Sequence, residues 1–216
     1  NKGAGQYSHA EGGYNTVTGS YAHVEGMGNT ASGAGAHAEG SGGVRATGTG
    51  SHAEGQGNVA SGDGAHAEGG GTTASAIYSH AEGSGASASG QNSHAEGSGT
   101  VASGNSAHAE GGGSVASGDD AHAEGNYTIA ASSYQHTQGK FNVADANNTY
   151  AFIIGNGTGG NARHNAFAID WNGNIYVNGS ATGVNVETLS SILNPISESE
   201  YDALTTKDKP LYFIYD

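Results

Sequence analysis

One pentapeptide, Ser-His-Ala-Glu-Gly or a near variant, recurs ten times in this chain. Its histidines are His9, His23, His37, His52, His66, His80, His94, His108, His122 and His136. Every interval is 14 residues except the 15 between His37 and His52. A glutamate stands two residues after each of the first nine, at Glu11, Glu25, Glu39, Glu54, Glu68, Glu82, Glu96, Glu110 and Glu124, and Gln138 takes that place in the tenth. Glycine follows at the next position in all ten. A second small-residue motif lies between the pentapeptides, as in Thr30-Ala31-Ser32-Gly33 and Val101-Ala102-Ser103-Gly104. Register held this strictly specifies coils that stack on one another, a solenoid.

Aligning the coils predicts their cross-section. One alanine column follows the histidines (Ala38, Ala53, Ala67 and onward), and a second lies six residues before them (Ala31, Ala46, Ala60 and onward). The two are half a repeat apart. Two short strands per coil, each pointing one alanine inward, make a very thin roll with glycines at the corners. Neighbours along a strand point to opposite faces, so His and Glu share one outer face. The Thr/Val/Ser column (Thr30, Val59, Thr73, Val101, Val115, Ile129) takes the other.

Composition agrees. Forty glycines in 216 residues, with alanine-dominated apolar content, leave few large side chains for an ordinary core. Glycine does not fall at every third position, which excludes collagen. Six Lys and Arg against 20 Asp and Glu argue against nucleic acid and anionic membrane surfaces as partners. The absence of cysteine excludes disulfides and thiol chemistry. No apolar run approaches the roughly 18 residues of a spanning helix, so no membrane insertion is expected. An interior of alanine gains little: a fully buried Val or Leu is worth about 1.5–3 kcal/mol, and alanine only a fraction of that. A homo-oligomer joined along an outer face is therefore expected.

The 14-residue period, the small-residue strand and the Ser-x-Ala-x-Gly pentapeptide resemble the YadA-like head repeats of trimeric adhesins over about residues 4–140. In that family the pentapeptide usually carries Val and Ile where this chain has His and Glu. The His/Glu version is similar to repeats in bacteriophage tail fibres and receptor-binding tail proteins. The resemblance implies an all-β fold: a left-handed parallel β-roll of 14-residue coils, homotrimeric, with a small β-rich C-terminal knob containing some helix. It implies a virion-tail, extracellular location, a bacterial surface receptor (glycan or protein) and other phage tail proteins as partners.

Three segments are expected: repeats over 1–140, a β-hairpin knob over 141–183, and a terminal helix-and-strand module over 184–216. Phe152-Ile153-Ile154 reads as a strand. Residues 165–179 read as a hairpin in which Phe167 and Ile169 alternate on one arm and Ile175 and Val177 on the other, with Asn172-Gly173 turning. Residues 186–193 read as a short helix capped by Asn185, Ser197-x-x-Glu200 as a capping box, and 211–215 as a strand.

The histidines, the glutamates and Gln138 read as a structural ladder of hydrogen bonds, with no metal and no cofactor assigned, because stacked histidines take their spacing from the β ladder and not from a coordination sphere. Pairing along the ladder would raise the histidine pKa values and lower those of the glutamates, and burial opposes both. Repeated identical groups are scaffolding. No carboxylate stands out as a catalytic partner, so the chain reads as a non-enzyme, with a glycan-cleaving tail spike as the contrasting class and a bacterial adhesin head as the other attachment reading. Gly155-x-Gly157-x-x-Gly160 matches a dinucleotide fingerprint but has no following helix and reads as a turn. Regular calcium-type Asp spacing is absent, and Val59 and Arg45 interrupt a threonine array of ice-binding kind. Tyr150, Arg163, Trp171 and Tyr176, of the types that anchor binding surfaces, are the receptor-contact candidates.

Overall fold

The computed structural model describes residues 1–177 and the short strands Ile196–Ser197 and Ile214–Tyr215. The architecture is an all-β solenoid. Each coil supplies one strand beginning at its histidine, such as His66–Gly70 and His80–Ser84, and a two-residue strand half a coil later, such as Thr73–Ala74 and Ser87–Ala88. Like pairs with like in parallel, His66 with His80, Ala67 with Ala81, Glu68 with Glu82, and Thr73 with Ser87 on the other side. The short strands form one ten-stranded sheet, and the histidine strands form most of a thirteen-stranded one. Among the described residues there is no helix, hence none that is long and apolar enough to cross a membrane.

Between the sheets both alanine columns are sealed: Ala31, Ala38, Ala46, Ala53, Ala67 and Ala81 are fully buried. An interior one alanine wide leaves backbone polar groups near the axis, and a second buried column satisfies them. Asn29 donates from Nδ2 to the carbonyls of Glu25 (2.7 Å) and Gly40 (2.8 Å) and accepts at Oδ1 from the Val44 amide. Asn58 repeats this two coils on, and Thr72 follows with its hydroxyl on the Glu68 carbonyl. Buried donors and acceptors left unpaired are costly, so this column is as structural as the alanines.

The pentapeptide glycine has no substitute. At Gly83 φ is +103°, and a Cβ there would lie 2.2 Å from the carbonyl oxygen of Gly97 in the next coil. The 15-residue interval is absorbed at one corner, where Gly42 and Gly43 both have positive φ (75° and 84°). Beyond it Arg45 pairs with Thr30 and Ala46 with Ala31, in register.

Composition changes after Gly139, but the sheet does not stop there. Tyr150–Asn156 pairs in parallel with the last histidine strand, setting Phe152 against His136, Ile153 against Thr137, Ile154 against Gln138 and Gly155 against Gly139. An eleventh rung thus carries Phe and Ile in the histidine and glutamate columns. The expected boundary at residue 140 is a boundary of composition only. The intervening loop is organised by Asp145, whose carboxylate accepts from the amides of Thr149 (2.8 Å) and Tyr150 (2.7 Å). Buried Gln135 donates to the Tyr150 carbonyl at 2.9 Å.

The expected hairpin forms as Asn165–Asp170 against Ile175–Val177, antiparallel, with Phe167 opposite Val177 and Ile169 opposite Ile175. Its turn is longer than an Asn-Gly pair alone. Asp170 clamps it by accepting from the Asn172 and Asn174 amides (2.9 and 2.8 Å), and Gly173 has φ +83°. Ile196 and Ser197 pair in parallel with Ile214 and Tyr215, in keeping with a strand near the end of the chain. The helix expected over 186–193, and Glu200 of the expected capping box, lie outside the described residues.

Candidate functional site

The parallel register carries every histidine of the ladder onto one face. From His23 to His122 the imidazoles stack at 4.6–4.8 Å between centroids, with planes within 9° of parallel. The ends differ: His9 meets His23 edge-on, and His136 meets Phe152 edge-on. The glutamates stand beside them as a second column. Pairing changes partner along the rod. His37, His52 and His66 approach the glutamate of their own coil at 3.6–3.8 Å, whereas His94, His108, His122 and His136 approach that of the coil before at 3.3–3.8 Å. Glu82 is where the change occurs, touching both His80 and His94. Since the backbones stay in register, side-chain torsions alone make this switch.

These contacts are mostly too long for hydrogen bonds; His122 to Glu110, at 3.3 Å, is the one that qualifies. The Nε2 atoms of His23, His37, His52, His66, His80, His94, His108 and His136 are buried without a hydrogen-bond partner. The expected ladder of His–Glu hydrogen bonds is therefore a ladder of near contacts in the single chain.

Of the two opposed effects on the histidines, burial prevails at four. Burial holds the imidazoles of His37, His52, His80 and His108 below the ordinary histidine value, and neighbouring histidines push the same way against the attraction of the glutamates. Charged imidazoles would repel at this spacing, so at these four pairing with glutamate does not win. The carboxylates relieve their own repulsion instead. Hydrogen bonds with Glu25 and then Glu54 raise Glu39 to about 7, and the bond to Glu39 lowers Glu25. At Glu39 a proton shared with the flanking carboxylates offsets part of their mutual repulsion.

The receptor-contact candidates have separate fates. Arg163 donates to the carbonyls of Tyr127 (2.8 Å) and Asn142 (3.1 Å) and lies over the Phe141 ring, so it is occupied in sealing a corner. Tyr150 packs edge-on against Tyr176, whose hydroxyl bonds Asp170. That bond raises the Tyr176 phenol, while the Asn174 side chain, first among its partners, lowers the Asp170 carboxyl. Trp171 is 46 % exposed at the hairpin tip, with Nε1 donating to Asn148 Oδ1 at 3.0 Å.

Sequence reasoning missed the corner tyrosines. Tyr7, Tyr14, Tyr21, Tyr78, Tyr127 and Tyr134 all have φ between 52° and 60° and all are well exposed. The left-handed region is costly for a bulky residue. The available signal was that these tyrosines share their columns with glycines: Tyr21 with Gly35, and Tyr127 with Gly113. Their rings lie back over the preceding coil, Tyr78 on Gly64 and Tyr127 on Gly113, and Tyr7 stacks on Tyr21 at 5.2 Å.

Compared with models of known protein families and with curated proteins, the chain matches none.

Proposed function

We propose that this protein is the shaft and tip of a trimeric attachment fibre, a phage tail fibre or receptor-binding tail protein acting outside the cell on a bacterial surface. The observation that supports this best is the uniformity of the His/Glu face. Ten rungs, alike but for Gln138 in the last, make a poor catalytic site and a good continuous seam. The seam ends on Phe152 and Ile154, apolar residues in the same two columns, as a surface joined to other copies requires. A shallow groove follows the glutamate and glycine columns past Glu110, Glu124 and Gln138 and ends at Ile154. Three rolls meeting along this face would cover what an alanine interior leaves thinly supported.

Light scattering should give three times 21.3 kDa, about 64 kDa. A folded monomer at micromolar concentration rules the assembly out.

Recognition is assigned to the tip. Trp171→Ala is expected to weaken binding to susceptible cells at least tenfold while leaving the melting temperature and mass unchanged, as loss of an exposed aromatic anchor does. Because the parallel rungs end with Tyr150–Asn156 and the strands that follow in the sheet are antiparallel, a truncation should be made after Asn156; it should keep the rod and lose cell binding. Should the truncated rod bind as well as the whole chain, the repeats carry recognition. Release of sugars from capsule or cell-wall glycan would favour the glycan-cleaving spike.

A further inference from the structure

We propose that the ladder is also a binding site for divalent first-row transition-metal ions, with one imidazole and two carboxylates per ion. The geometry is complete within one chain. His37 lies between Glu39 of its own coil and Glu25 of the coil before, and His66 likewise between Glu68 and Glu54; in each set the donor atoms lie within 4.8 Å of one another. His37 Nε2 to Glu39 is 3.6 Å and His66 Nε2 to Glu68 is 3.8 Å. Those separations are too long for a hydrogen bond. They are close to the roughly 3.4 Å between two donors that each sit about 2.1 Å from one tetrahedral ion. Both Nε2 atoms are buried with no hydrogen-bond partner, so each has a lone pair or a proton to give and nothing to receive it. A divalent cation neutralises the two carboxylates of a set, in a chain that carries −14 overall. Imidazole nitrogen with carboxylate oxygen suits Zn2+ or Co2+ better than Mg2+ or Ca2+.

The stacking limits how many ions fit. Parallel rings direct their Nε2 lone pairs in parallel, so one ion takes one imidazole, which disfavours the His80, Glu82, His94 set, where the rings are 8° from parallel. Consecutive sets also share a carboxylate: Glu39 serves both His37 and His52, and Glu54 both His52 and His66. Coordination by one imidazole and two unshared carboxylates is therefore available at alternate rungs, such as His37 and His66, and at least two ions per chain result.

The test uses the full chain after treatment with chelator, titrated with ZnCl2 by calorimetry and checked by metal analysis after dialysis. At least two Zn2+ per chain are expected. Glu54→Gln combined with Glu68→Gln should remove one, His66→Asn should also remove one, and His164→Asn, outside the ladder, should remove none. Co2+ should give tetrahedral visible bands, and Cu2+ loaded on the unaltered protein should show nitrogen hyperfine coupling, which keeps the test decisive if the variants do not fold. Absence of stoichiometric binding overturns the proposal. So does Ca2+ or Mg2+ binding as tightly as Zn2+, a ratio unchanged in the variants, or Cu2+ without nitrogen coupling. A monomer that holds two Zn2+ refutes the trimer and keeps this site, and a trimer that holds none does the reverse.

Discussion

Gly83→Ala is expected to break the roll, whereas Gly85→Ala, two residues along the same corner, is expected to be tolerated. At Gly83 the new methyl meets the Gly97 carbonyl oxygen at 2.2 Å and the carbon and nitrogen of the same residue at 3.0 Å. Those atoms are backbone, held at the sheet spacing, and do not give way. Strain at φ +103° adds to the clash. Backbone strain of about 1–3 kcal/mol with overpacking of about 1–3 kcal/mol takes a large share of a typical domain's stability. At Gly85 φ is +66° and nothing lies within 4 Å, so only the left-handed penalty of about 1 kcal/mol applies. The same column accepts Tyr14, Tyr127 and Phe141 with positive φ, which shows that a side chain is compatible there. Thermal melting followed by circular dichroism separates the two: Gly83→Ala should lower the midpoint by more than about 10 °C or prevent folding, and Gly85→Ala should lower it by only a few degrees. Equal effects would mean that the inter-coil approach at the pentapeptide glycine is not what holds the pitch.

Acidification is expected to destabilise the metal-free protein as pH falls below about 6.5. His37, His52, His80 and His108 are held below the ordinary histidine value by burial, so in the transition region the unfolded chain binds more protons than the folded one. Their contribution is complete above the unfolded value of about 6.5 and is lost as pH falls towards the lowered folded values. Glu39 acts in the opposite sense. Raised from 4.5 to about 7, it contributes stability below the unfolded value that disappears as pH rises through the folded one. Four histidines oppose one glutamate, so the midpoint should be highest near neutrality and fall on the acid side. If the proposed assembly covers the face, desolvation increases and the fall steepens. The measurement is the melting temperature from pH 5 to 8 in the presence of chelator. In Glu39→Gln, which cannot titrate, the decline of the midpoint above neutrality should disappear, while the acid-side loss remains. A midpoint that rises on acidification would mean that the histidines are charged and paired after all.

The repeat made the rung legible without coordinates. In-register pentapeptides have one low-energy way to pair as parallel strands, and period two then assigns Ala inward and His with Glu outward. The hairpin was legible for the same reason, since Phe167, Ile169, Ile175 and Val177 alternate on two arms. The buried Asn15, Asn29 and Asn58 column was not, because an asparagine beside glycines looks like any turn residue until its amide is seen reaching two carbonyls in adjacent coils. Nor was the eleventh rung, where Phe152 and Ile154 share no residue type with the His and Glu they continue.

The sequence by itself determined the stacking, because the pattern of small residues is local and repeats. Tertiary structure alone decided what the ladder's atoms do. The distances from Nε2 to carboxylate depend on side-chain torsions that change partner at Glu82 while the backbone stays in register. The order of the pKa values depends on how deeply the stack is buried. Identical pentapeptides therefore acquire different electrostatic environments along one rod, because burial and neighbour charge belong to the assembled face and not to the repeat.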